Sequence, residues 1–445
     1  MLNQTLFPES SKIKLSDGAD LYCLHTNEYK RSRLDIFFSF PADKYKSPLM
    51  RLLLSVLFRG SKNFPSITDM NKYLDCMYDS TVYWKDYHIG ANHSYRIICT
   101  TLDKQYLPKR HADLDLLGET LRVIEDVLTE PLYDIDGLIS KKHFESERDF
   151  AIDNINAKLN SPKSYAAIKS NEMLFGDDPT GYSLDGTEEL FRSYTREDIT
   201  SIREYFLKSA KITAFYVGTH TGEEVSQKLA PLFKKIGERQ PVDIIPPYPI
   251  VRDGYREAEE EFELSQGILR VNLTCNSILT DADNSARSLY NEILGGSSTS
   301  KLFMNVREKK SLCYYCGSRS DNTCGVLTVA CGIKPENKQA ALEEIKKQIL
   351  EMKLGNISDE EIFSAKKSLI NFLRQTPDSS GSLVASGFKD KLLTGENKSI
   401  NQRIKMIEDV KKEEIVEFAQ KINICSVFFL TSNGQTHASE EYYDE

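Results

Sequence analysis

The 445 residues carry 57 Lys and Arg against 66 Asp and Glu, a formal net charge of −9, and 40% of them are hydrophobic. An acidic balance spread along the chain argues against a nucleic-acid backbone as the main partner. No apolar run approaches the roughly 20 residues a membrane helix needs, so no membrane span is expected. The length suits two to four domains with sizeable cores. The N-terminal stretch MLNQTLFPESSKIKL has no apolar segment of the secretory type, so a secretory signal is not expected. Nine cysteines, an odd number without the dense spacing of a disulfide framework, point to a reducing cytoplasm.

In chain order, a strand-like alternation starts at Leu34 and runs through a polar break into an apolar helical run, which ends at Phe58-Arg59-Gly60-Ser61. TVYWKDYHIGANHSYRIICTTL then reads as a strand pair. YDIDGLISKKHFESERDFAIDNINAKLNSPKSYAAIKSNEMLFG reads as helix, started at Asp134 or Asp136 and stopped at Gly176. KITAFYVG (211–218) closes this half as a strand. The proline-rich ERQPVDIIPPYPIVRDGYRE excludes a regular helix or central strand and reads as a linker.

The order then repeats. LRVNLTCNSILTDADNSARSLYNEILGGSSTSKLF, from Leu269, matches the stretch from Leu34: strand, break, helix, glycine and serines. LCYYCGSRSDNTCGVLTVACGI is its strand pair. ISDEEIFSAKKSLINFLRQTPDSSGSLVASGFKDKLLTG is its helical region, with a capping box of Ser358 and Glu361 and a stop at Gly395. SVFFLTSN (426–433) is its last strand. The expected fold is α+β: two homologous halves, each an antiparallel sheet covered by helices on one face. The expected division is 1–237, a linker at 238–255, and 256–445.

Three groups of residues invite a chemical reading. None of the histidines (His25, His88, His93, His111, His143, His220, His437) stands in a metal-binding pattern. His88 and His93 would fall on opposite faces of one regular strand and read as ordinary surface or turn residues. GGSSTSK superficially suggests a phosphate loop, but Ser300 and Leu302 stand where the pattern wants glycine and a hydroxyl residue, so nucleotide binding is rejected. Cys313 and Cys316, with Cys324 and Cys331 downstream, make the sharpest rival site. Their placement on a strand, and the lack of a second tight pair, favour core thiols over zinc.

The phrases LFRGS (57–61), GYSLDGTEELFRSYTREDI (181–199), FYVG (215–218), LGGSSTSKLF (294–303) and VREKKSLCYY (306–315), in this order over two repeated halves, resemble the pitrilysin/insulinase family of zinc peptidases in its processing-peptidase branch. In that family H-x-x-E-H precedes the LFRGS-like phrase. Two imidazoles four residues apart on one helical face bind zinc, and the glutamate is general base to the metal-bound water. The resemblance places Arg51, Leu54 and Ser55 at those positions, and Asn154 at the distal ligand. It therefore implies no zinc and no water activation in this chain.

The second half keeps more. The resemblance implies that Arg307 and Tyr314, seven residues apart, bind the substrate backbone across the cleft from the zinc of an active member. Guanidinium and phenol donors suit a peptide carbonyl or the oxyanion it becomes. It also implies a substrate-facing loop at Gly295, Gly296 and Ser297, where a helix end and turn would equally use glycine. Ser311 departs from the family's usual glycine. Members of this branch work as two chains, one with the zinc motif and one with the Arg–Tyr pair. The expected role is thus a non-catalytic, substrate-binding subunit processing peptides or leader segments. It would pair with a zinc-bearing homologous subunit and form a homodimer in isolation. Alternatives are a structural core-type subunit of a larger complex and a stand-alone peptide-binding protein.

Overall fold

The computed structural model describes residues 5–275, 281–393, 395 and 398–432. Part of the second repeat phrase (276–280), the end of the last expected strand at Asn433, and His437 lie outside them. The strands are β1 Lys12–Ser16, β2 Ala19–His25, β3 Arg31–Pro41, β4 Thr81–Ile89, β5 Asn92–Leu102, β6 Lys211–Gly218, β7 Arg256–Phe262, β8 Gly267–Thr274, β9 Cys313–Asp321, β10 Val326–Ile333 and β11 Asn423–Ser432. They form a six-stranded sheet, β1-β2-β6-β3-β5-β4, and a five-stranded sheet, β7-β11-β8-β10-β9. Setting β1 aside, the two orders are the same, so the sequence repeat is a repeat of topology. Each sheet is antiparallel except for one parallel pair, β2 with β6 and β7 with β11.

Each sheet buries one face under helices of its own half. Against the first lie Lys46–Leu57, Leu116–Thr129, Arg196–Ser209 and Gly222–Ile236, whose apolar residues join β3, β5 and β6 in one core. Against the second lie Asp281–Asn291, Lys338–Lys353 and Lys412–Lys421. The helix starts follow their sequence signals. Thr195 with Asp198, and Thr221 with Glu224, form capping boxes. Ser358 Oγ accepts from Glu361 N at 3.1 Å, while Glu361 Oε2 accepts from Ser358 N at 2.8 Å. The start expected at Asp134 or Asp136 differs: the helix begins at Lys141, whose N–H Asp134 accepts at 2.9 Å across an intervening turn.

The compact units are not the contiguous segments 1–237 and 256–445. The first unit takes residues up to Asn156, Asp178–Pro247 and Gln375–Asn401. The second takes Ala157–Asp177, Tyr248–Arg374 and Gln402 onward. The cause is packing on the second face of each sheet. In the first unit the helix Ser380–Leu393 lays Phe388 on Phe37, with ring centroids 3.7 Å apart, beside Phe215. In the second unit the helix Pro162–Phe175 packs Ala166 with Ile268, Phe428 and Leu430. Asn272 reaches Ser170 Oγ at 2.8 Å there. Each half therefore lends one helix to the other, and both sheets carry helix on both faces. This is why β3, β5 and β11 are buried along both faces instead of at every second residue.

Candidate functional site

The helix Lys46–Leu57 carries the three motif positions of the first unit. Leu54 is fully buried in the core. Ser55 is half-buried and Asn154, on Lys141–Asn160, is exposed. Arg51 is engaged: its Nε donates to Asp86 on β4 at 2.7 Å and its Nη1 donates to Asp185 at 3.0 Å. A guanidinium offers no lone pair to a metal, leucine has no donor atom, and the two carboxylates beside Arg51 are already used by its charge. This donor set does not fit a zinc ion. Among the described residues no three His, Cys, Asp or Glu side chains are grouped so as to hold a metal ion.

The closing phrase persists for reasons of packing. A Cβ on Gly60 would meet the Pro65 carbonyl oxygen at 2.5 Å, so only glycine fits. Arg59 pairs with the buried Glu147, and Ser61 Oγ bonds Asp126. Phe58-Arg59-Gly60-Ser61 thus ties the first helix to its neighbours without any metal chemistry.

The second unit gathers its candidate residues on β9 and on two π-helical stretches before it. Glu292–Gly296 holds Gly295 and Gly296, and Phe303–Lys309 holds Arg307. Gly295 is a close-approach position: a Cβ there would meet Ser318 N of β9 at 2.6 Å. Gly296 is exposed, and Ser297 meets Thr299 Oγ1 at 3.2 Å. Arg307 lies over the Phe303 ring, 4.7 Å from its centroid, with a loose approach to Glu308 at 3.7 Å. Its side chain is 42% exposed.

Tyr314 is 59% exposed, and its hydroxyl has no hydrogen-bond partner among the described residues. A β-bulge aims it. Gly332 pairs with Tyr315 while the next residue, Ile333, pairs with Cys313, so Tyr314 is the extra residue of β9. Sequence reasoning misses the bulge, because alternation assumes an unbroken ladder. The bulge also turns Cys313 and Cys316 to one face, both inside the core with Cys331, which lies directly opposite Cys316. The contact with Cys316, then burial, push the Cys313 thiol up. For Cys316 the contact with Cys313 pulls down, but Cys331 and burial push it up on balance. These neutral, buried thiols behave as core residues.

Ser311 opens the turn into β9 with φ +51°, the left-handed region, where glycine is favoured. Its N–H donates to the Arg307 carbonyl at 2.9 Å, so this turn sets the spacing between Arg307 and Tyr314. Ser311→Gly is expected to stabilise the chain by up to about 1 kcal/mol, since left-handed backbone costs an L-residue about 1–2 kcal/mol and glycine's extra unfolded freedom returns part of it. Urea unfolding checks this, and an unchanged or lower midpoint would contradict it.

His88 and His93 differ from the expectation of opposite faces on one strand. The turn at Gly90 and Ala91 sets them directly opposite across β4 and β5, with ring centroids 4.8 Å apart. His93 is fully buried rather than a surface residue. Its Nε2 meets the Tyr182 carbonyl oxygen at 3.0 Å, and its Nδ1 has no partner.

With this geometry in place, residues 193–369 match the family model described as "Peptidase M16 inactive domain". The chain is similar to the insulinase (M16) peptidases over this segment. It is similar to "Probable inactive metalloprotease YmfF" of Bacillus subtilis, 25% identical over 93% of this chain and 96% of that protein. It is also similar to "Uncharacterized zinc protease YmxG" of the same organism, 20% identical over 69% of this chain and 74% of that one. Among solved structures, a conserved protein from Enterococcus faecalis V583 superposes with a TM-score of 0.87 at 23% identity, over 96% of this chain and 99% of that one. The superposition shows that the chain shares the fold of that protein. No helix among the described residues is long and apolar enough to cross a membrane.

Proposed function

We propose that this insulinase-like chain is the non-catalytic, substrate-binding subunit of a two-chain zinc peptidase that processes peptides or leader segments. The observation that carries the reading is the pair Arg307 and Tyr314. Both are exposed at the head of β9, and Tyr314 has its hydroxyl uncommitted. Such donors gain from a peptide carbonyl what the folded chain does not supply. The opposite trend at Arg51, whose charge is consumed by Asp86 and Asp185, favours leaving zinc and water activation to a partner. One bacterium with a relative called inactive and another called a zinc protease is consistent with such a division of labour. In the proposal the chain holds no cofactor of its own, works in the cytoplasm, where nine free cysteines are at home, and forms a homodimer when the partner is absent.

The test is reconstitution. The purified chain is expected to contain no stoichiometric zinc and to cleave no peptide. Mixed with an H-x-x-E-H homologue of similar length, it is expected to elute as a heterodimer in size-exclusion chromatography and to raise peptide cleavage above that of the homologue alone. A heterodimer without any gain in cleavage would favour a structural subunit. A monomer or homodimer that ignores the homologue yet binds peptide would favour a stand-alone peptide-binding protein.

A further inference from the structure

The second sheet carries a charge that meets no counter-charge among the described residues. Arg270 stands in the middle of β8, half-buried, and its Nε is closed off from solvent without a hydrogen-bond partner. Among the described residues its side chain has no ion pair. Burial disfavours its charged form, and the Tyr315 phenol is the ionisable group whose field opposes that effect. The other copy of the repeat shows what such a position ordinarily requires. Asp35 follows Leu34 as Arg270 follows Leu269. It is fully buried, and it is held by Arg33 at 3.0 Å and by Arg96. A charge taken out of water is costly unless an opposite charge meets it.

The face around Arg270 leaves room for that opposite charge. Leu269, Val271 and Leu273 point into the core, so Arg270 lies on the other face. Across the sheet it stands opposite Ala330 of β10, which in turn stands opposite Gly317 of β9. On that side the neighbouring side chains are only a methyl group and a hydrogen, with the Gly295 carbonyl oxygen 3.1 Å from where a Gly317 Cβ would stand. Tyr315 bounds this trough at one end: its ring lies over Gly332, where a Cβ would meet Cε1 at 2.4 Å. Lys163 adds its ammonium 5.4 Å from the Tyr315 ring centroid. At the other end comes Arg319, two residues beyond Gly317 on β9, exposed and without an ion pair among the described residues. Cations and a phenol bound the trough.

We infer that Arg270 and the trough beside it bind a carboxylate of a peptide ligand, from its C-terminus or from an Asp or Glu side chain. The inference rests on the peptide-binding reading above and adds a specificity to it. β8 lies two strands from β9, about 10 Å away, and Arg270 is level with Gly317, three residues along β9 from Tyr314, so the two positions are about 14 Å apart, which about four residues of extended chain span. A peptide whose carbonyl is held at Tyr314 therefore presents a carboxylate to Arg270 about four residues further on.

The experiment titrates the full chain into fluorescently labelled, unstructured peptides by anisotropy. One peptide is a free acid, one the C-terminal amide, and one an amide with Asp in place of Asn three residues from the end. Arg270→Met is the variant, since it removes an uncompensated buried charge and keeps the volume, so folding should persist. The free acid is expected to bind at least about tenfold more tightly than the plain amide, with the preference falling to near unity in Arg270→Met. The Asp-bearing amide reports whether a side chain serves as well as the terminus. Arg307→Ala is expected to weaken all peptides alike and keep the preference. Equal binding of acid and amide, or a preference that survives Arg270→Met, overturns the carboxylate site and leaves the peptide-binding reading standing. If no peptide binds, the peptide-binding reading falls. The site then stands only if millimolar glutarate raises the melting temperature of the wild-type chain and not of Arg270→Met, and it falls if both respond alike.

Discussion

Arg307→Ala, assayed in the complex with a zinc-bearing partner, is expected to lower peptide turnover about a hundred- to a thousandfold, the loss typical of a donor that acts on a developing oxyanion. Assembly and the partner's zinc content should not change, because among the described residues the Arg307 side chain rests only on the face of Phe303 with a long approach to Glu308. Tyr314→Phe should act in the same direction. It deletes one hydroxyl that has no hydrogen-bond partner among the described residues, so a loss of turnover is expected to come from substrate rather than stability. The measurement is the rate at equal zinc content for wild-type and variant complexes. Equal rates would make Arg307 a surface residue resting on an aromatic ring, and would remove the chemical basis of the proposed subunit.

The second large effect is on acid stability. Burial first, and then the neighbouring His88, draw the pKa of His93 down to about 3, against smaller opposing effects of the Tyr182 carbonyl and Asp43. The folded chain keeps this imidazole neutral, while the unfolded chain takes up a proton at about pH 6.5. Its contribution to stability is therefore complete above about pH 6.5 and is lost as the pH falls toward 3, at about 1.4 kcal/mol per pH unit. By pH 4.5 the loss is about 2–3 kcal/mol from this one group. His220 and His143 are lowered by burial too and add to the slope in the same sense. Comparing wild type with His93→Asn isolates the His93 share, since the other groups remain. Denaturation curves between pH 4.5 and 7 should converge toward acid as the wild type loses its advantage. Curves that stay parallel would show that His93 takes up its proton without unfolding the hairpin.

The repeat was legible because it is written in local signals: alternation from Leu34 and from Leu269, and the Ser358–Glu361 box. These report the shape of each segment, and four strands of each sheet follow from them, while β1, β2 and β7 were not read. The partners across space were not legible. Ser380–Leu393 looks like any amphipathic helix, and nothing in it says that Phe388 will stack on Phe37 of the other half. The β9 bulge hides as well, because one extra residue in a ladder leaves no compositional trace. Only the pairing of Ile333 with Cys313 reveals it. At the candidate site, the change from a zinc motif to Arg51, Leu54 and Ser55 was visible from residue identity alone. That Asp86 and Asp185 receive the Arg51 charge was not, since ion pairs between distant segments have no sequence period. Arg270 was passed over for the same reason: an unmatched charge is a property of its surroundings.

The exchange of helices sets an order on how the chain is made. The first unit lacks the cover for its aromatic face until the residues Gln375–Asn401 have emerged from the ribosome. From the end of the linker to that point is on the order of ten seconds of synthesis. Throughout that interval Phe37 and Phe215 wait without Phe388. The nascent chain thus presents a sticky, half-finished sheet to whatever chaperone meets it, and a frameshift or early stop beyond the linker leaves both halves incomplete instead of sparing the first. Each half reaches its full packing only once the other half's helix has been made.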